Sequence, residues 1–187
     1  RIERLLQEHP GNVYYHYGLG AAYQKQNNLA LAREHLKKSI SLGGNFWEAY
    51  VELVDGYRTK KDIEDTAAFL QARLKQSHDN AFLHQAIGLV HYYSSEYHDA
   101  YASLEKARAM FHERGERGDE GRCLLNLSDV FTYLNDYPVA LREAQTGLRI
   151  SRETGDRILE IQCLERSAFV WTDLGKDAEA REACRQA

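Results

Sequence analysis

The chain repeats itself, and the repeat sets narrow limits on its fold. Leu19-Gly20 with Tyr23 returns as Leu53-Val54 with Tyr57 and again as Ile87-Gly88 with His91, each 34 residues further on. The register then lengthens to 40 residues, giving Leu127-Ser128 with Phe131 and Ser167-Ala168 with Trp171. A second column, 12 residues after the Gly20 position, holds Ala32, Thr66, Ala100, Ala140 and Ala180. Four residues beyond stand Leu36, Leu70, Leu104, Ala144 and Cys184. Self-similarity at this period marks an array of small units, each unable to bury its apolar face alone.

Within a unit the apolar residues step by three and four, the period of one helix face. Leu124, Leu127 and Phe131 form one stripe, and Ala140, Ala144 and Leu148 form the answering one. Two prolines in 187 residues leave the helices uninterrupted. Turns are expected at Gln26-Asn27-Asn28, Lys60-Lys61-Asp62, Ser94-Ser95-Glu96, Asn135-Asp136 and Gly175-Lys176. Pro138 falls where a first-turn proline costs no hydrogen bond.

These columns resemble the tetratricopeptide repeat: a large residue, Leu-Gly, an aromatic, a turn glycine, Ala, a bulky apolar residue and Ala. His16, Leu19, Gly20, Tyr23, Ala32, Leu36 and Ser39 fit it in the first repeat, and Tyr50, Leu53, Tyr57 and Leu70 in the second. Thr66 and Arg73 depart from it there. The resemblance implies an all-α, right-handed α-α superhelix. One helix over 1–10, ending at Pro10, would belong to a truncated unit, and five repeats would follow at 13–46, 47–80, 81–120, 121–160 and 161–187. The 40-residue units are similar to those of kinesin light chains, spindle-orientation adaptors and bacterial regulators, in which the second helix gains more than a turn. A single array over 1–187, cut from a longer protein, is the expected organisation.

Composition narrows function by exclusion. A formal charge of −4 and a pI near 6.1 lack the basic face that nucleic acid selects. No stretch reaches the ~18 consecutive apolar residues of a membrane span. Cys123 and Cys163 share a repeat position and read, with Cys184, as free thiols in a cytoplasmic protein rather than a disulfide framework. His84, His91 and His98 recur every seven residues, but the first two hold packing positions and the third lies across a turn, so no metal is expected. Asn126-Leu127-Ser128 matches a glycosylation sequon but lies mid-helix. No nucleophile elbow, phosphate loop or dinucleotide fingerprint is present, and neither cofactor nor catalysis is expected.

The resemblance places function on the first helix of each repeat, whose inward residues fall at fixed positions. Repeat four then presents Arg122, Asn126, Asp129 and Tyr133, and repeat five Gln162, Arg166, Phe169 and Asp173. Repeat three adds Phe82, Gln85, Leu89, Tyr92 and Tyr93. Repeat one adds Tyr14, Tyr17 and Lys25, and repeat two Glu48, Glu52, Asp55 and Arg58. Asn126 resembles the asparagine that bonds a ligand backbone in the longer-repeat adaptors; an amide offers both donor and acceptor. Arg122 and Arg166 suit a carboxylate, and Tyr92, Tyr93, Tyr133 and Phe169 suit apolar anchors. Against this stands self-pairing, of Arg122 with Asp129 or Asn126 and of Arg166 with Asp173. The carboxylate clamp of chaperone-type members has Tyr17, Ala21, Glu52, Phe82 and Ala86 in its places, and is excluded.

The reading is a scaffold binding a protein or peptide partner in a concave groove, without direct contact to nucleic acid or membrane. The alternative is a ligand- or peptide-sensing domain of a larger bacterial regulator. Uncapped repeat ends would favour homo-oligomers.

Overall fold

The computed structural model describes residues 2–56 and 59–187, with the side chains of Ile2 and Glu3 left aside. Tyr57, expected in the aromatic column, and Arg58, expected on the inward face, lie outside the described residues. The described residues form eleven α-helices and no strand. They run α1 (Ile2–Glu8), α2 (Val13–Lys25), α3 (Leu29–Ser41), α4 (Trp47–Asp55), α5 (Lys60–Gln76) and α6 (Ala81–Tyr93). The series continues with α7 (Tyr97–Arg114), α8 (Arg117–Tyr133), α9 (Tyr137–Thr154), α10 (Arg157–Asp173) and α11 (Asp177–Gln186). They gather into two compact units, Arg1–Val90 and His91–Ala187, and the boundary falls inside α6.

In the first unit the hairpin of α2 and α3 closes on the small column. A Cβ at Gly20 would stand 2.7 Å from Leu36 Cγ, so the two helices meet only because that side chain is absent. Leu36, Ile40, Tyr50, Leu53, Leu70 and Leu83 form the core beneath. Asn12 caps α2 through Tyr14 N and Tyr15 N. The turn expected at Lys60-Lys61-Asp62 is instead the start of α5. Thr59 accepts from Asp62 N while Asp62 accepts from Thr59 N, and this reciprocal capping box fixes the helix start at Lys60.

In the second unit two apolar layers share Phe131. One holds Ala100, Leu104, Leu127 and Val130, and the other Ala140, Leu141 and Val170. Pro138 lies in the first turn of α9, behind the Asp136 cap. Helices α8 and α10 begin at Arg117 and Arg157, each four residues before the repeat starts read from the sequence. The extra length of the 40-residue units is thus divided: α7 and α9 have 18 residues against 13 in α3, and α8 and α10 have 17 against 13 in α2. The added first turns are held by buried carboxylates. Glu120 takes Arg117 and His112, and Glu160 takes Arg157 and Arg152. Between helices the chain turns at one repeat position through a left-handed residue, Asn27, Ser95, Asn135 or Gly175, with φ of 59 to 68°.

Candidate functional site

Helices α8 and α10 adjoin in the second unit, and their inward positions form one face beside the last turn of α6. Tyr92 lies at its centre. Its ring meets Tyr93 at 5.4 Å, Tyr133 at 5.4 Å and Tyr97 at 6.1 Å, and Tyr97 stacks on Tyr133 at 5.2 Å. Burial raises the Tyr92 hydroxyl pKa well above the phenol range, and the negative charge of Asp129 and a hydrogen bond with Tyr133 push the same way. Tyr93, Tyr133 and Phe169 are 48%, 57% and 51% exposed. Three aromatic rings are therefore offered to solvent from one side of the unit.

The charged members are already engaged, and not with the partners the sequence suggested. Arg122 bridges Asp119 at 3.0 Å and Asp156 at 2.7 Å, not Asp129. Arg166 pairs with Asp129 on the neighbouring helix, not with Asp173, and its guanidinium lies 6.0 Å from the Phe169 ring centre. Burial raises the Asp129 carboxyl to about 6, although Arg166 pulls it back. Asn126 is half-buried in α8, and its Nδ2 is buried without a hydrogen-bond partner among the described residues. The donor itself is screened from solvent, so it meets a ligand carbonyl only when the side chain turns outward, toward the aromatic residues on the same helix.

Gln162 and Asp173 are exposed on α10, and the predicted residues of the first unit behave differently. Gln85 is fully buried, so it presents no atom to a partner; its place in the core replaces the contact role expected for it. Phe82 stacks on Tyr50 at 6.0 Å and packs on the core. Tyr17 donates to Glu52 at 3.2 Å, and burial, then the Glu52 charge, raises its hydroxyl to about 12. Tyr14, 68% exposed, stacks on Phe46.

Three histidines at seven-residue spacing do not converge, since His84 is buried in α6 and His98 is exposed on α7. A different trio does. His91, Glu96 and Asp99 bring one ligand atom each within 4.8 Å of one another, with His91 Nδ1 donating to Glu96 at 2.6 Å. These are ligand types that suit a borderline divalent ion. Sequence reading missed them because Glu96 and Asp99 lie across the turn from His91. Cys123 and Cys163 are buried free thiols, the latter raised to about 12 by burial, so neither is a ready nucleophile. None of the described helices is long and apolar enough to cross a membrane.

The described residues form a helical-repeat fold whose first helices expose aromatic rings in the second unit. Residues 79–153 match the tetratricopeptide repeat family, and solved repeat structures resemble the fold over nearly the whole length. The signal-transduction ATPase with numerous domains from Pyrococcus horikoshii, a protein with a tetratricopeptide repeat sensor, is 19% identical with a TM-score of 0.72. The match covers 99% of this chain and 30% of that one. BtubC (BKLC) from P. vanneervenii is 15% identical at a TM-score of 0.71, over 99% of this chain and 83% of the other. A Rap protein complexed with competence and sporulation factor is 18% identical at 0.70, over 98% and 57%. No curated protein matches the sequence.

Proposed function

We propose that the chain is a protein-interaction module, without catalytic activity of its own, that binds a peptide or helix across α8, α10 and the last turn of α6. The observation that carries this reading is the Asn126 amide, half-buried and with an unmatched donor, set in the face that exposes Tyr93, Tyr133 and Phe169. An extended peptide supplies backbone carbonyls for the amide, whose side chain turns outward to meet them, and side chains for the rings. Aromatic anchors contribute large contact area at low entropic cost. Arg122, Arg166 and Asp129 hold this surface in shape through ion pairs between helices.

The test is selection of binding peptides on the 1–187 chain, followed by Asn126→Ala and Tyr133→Ala. Each is expected to weaken binding roughly fivefold to thirtyfold, the range for a lost hydrogen bond or aromatic anchor. Unchanged affinity in both variants would remove the site.

A second reading is a ligand-sensing domain of a larger bacterial regulator. It draws support from the tetratricopeptide repeat sensor of the Pyrococcus horikoshii neighbour and from the complex of the Rap neighbour with competence and sporulation factor. Cytoplasmic placement and self-association through the repeat ends belong to the same proposal. Concentration-dependent light scattering tests the latter, and a constant monomer mass would contradict it.

A further inference from the structure

The first-helix face of the second unit has a sign of charge. Glu165, Phe169 and Asp173 stand four residues apart on α10, so they form one stripe along the helix, and all three are exposed. Neither Glu165 nor Asp173 makes an ion pair or hydrogen bond with the described residues. The bases on the same face are neutralised: Arg122 by two aspartates and Arg166 by Asp129. What remains is a phenyl ring with an uncompensated carboxylate one helical turn to each side. The unit as a whole has the same sign, since residues 91–187 hold 18 Asp and Glu against 13 Lys and Arg, whereas residues 1–90 hold 10 against 11.

Resting on the binding face argued above, we propose that this face selects a basic partner, a peptide segment carrying lysine or arginine beside apolar residues. Two cationic heads would pair, one with Glu165 and one with Asp173, about 12 Å apart along α10, and an apolar side chain between them would lie on Phe169. Carboxylates and ring faces attract the same cation, and the combination disfavours an acidic segment by like-charge repulsion. Arginines at inward positions suggest the opposite preference from sequence alone. Their aspartate partners reverse it.

The experiment pans a random twelve-residue phage-displayed library on the 1–187 chain and measures the enriched peptides by fluorescence anisotropy. Enriched peptides are expected to be net positive, and to bind more weakly as salt rises. The double variant Glu165→Gln/Asp173→Asn is expected to lose roughly two- to thirtyfold in affinity, the range for two exposed charge pairs. Glu179→Gln, an exposed acid on α11, is expected to change nothing; circular dichroism confirms that each variant is folded. Neutral or acidic peptides whose binding depends on Asn126 and Tyr133 would overturn the charge preference and leave the binding face standing. Basic peptides indifferent to the double variant would also overturn it, as non-specific attraction. Peptides indifferent to Asn126→Ala and Tyr133→Ala would overturn the face itself, and the charge preference with it.

Discussion

The two units use the same repeat positions to opposite ends. In the first, inward groups are mostly spent on one another, Tyr17 on Glu52 and Phe82 on Tyr50, with Gln85 buried outright, while Tyr14 stacks on Phe46 and stays open to solvent. In the second, the charged positions are paired between helices while the aromatic ones stay open, at Tyr93, Tyr133 and Phe169. A repeat position therefore marks where a side chain points, and its neighbours decide whether it is available. Inward placement alone does not leave a side chain available.

The largest effect that sharpens this contrast is on packing. Leu127 is fully buried between the layers of the second unit, and Leu127→Ala is expected to destabilise it by about 2–5 kcal/mol. Chemical denaturation read at the near-ultraviolet tyrosine signal measures it. In the first unit, Gly20→Val sets a side chain against Leu36 and is expected to cost about 1–3 kcal/mol through overpacking, scored by denaturant midpoint. Thr59→Ala removes one half of the α5 capping box, for an expected loss of about 1 kcal/mol by the same assay.

A subtler test is pH. The Asp129 carboxyl titrates near 6 in the folded chain and near 4 when unfolded, so the folded state holds the proton more tightly. Its contribution to stability is therefore present at low pH and is lost as pH rises from about 4 to about 6. Carbon-detected NMR titration of the side chain checks the midpoint, and Arg166→Gln is expected to raise it further by removing the neighbouring positive charge. A midpoint below 4 would contradict the burial that sets this value.

The helices were legible where small and apolar residues must recur. Gly20 against Leu36, and the fully buried Leu104 and Ala140, are packing necessities that leave a periodic trace. The starts of α8 and α10 were not, because Arg117, Glu120, Arg157 and Glu160 look like polar loop residues until Glu120 and Glu160 are seen buried among arginines. The same blindness covered the site. Asn126, Tyr133 and Phe169 could be placed on an inward face by counting residues. The pairings of Arg122 with Asp156 and Arg166 with Asp129 join residues 34 and 37 positions apart, beyond any local spacing rule. Thr59 shows the lesser version of this, since Lys60-Lys61-Asp62 reads as a turn unless its cap is recognised.

The most direct measurement is a backbone NMR titration of the 1–187 chain with a peptide selected on it. Shift changes are expected to concentrate at Asn126, Tyr133, Arg166, Phe169 and the last turn of α6. Changes confined to the outer helices α9 and α11, or to the first unit, would contradict the placement of the binding face.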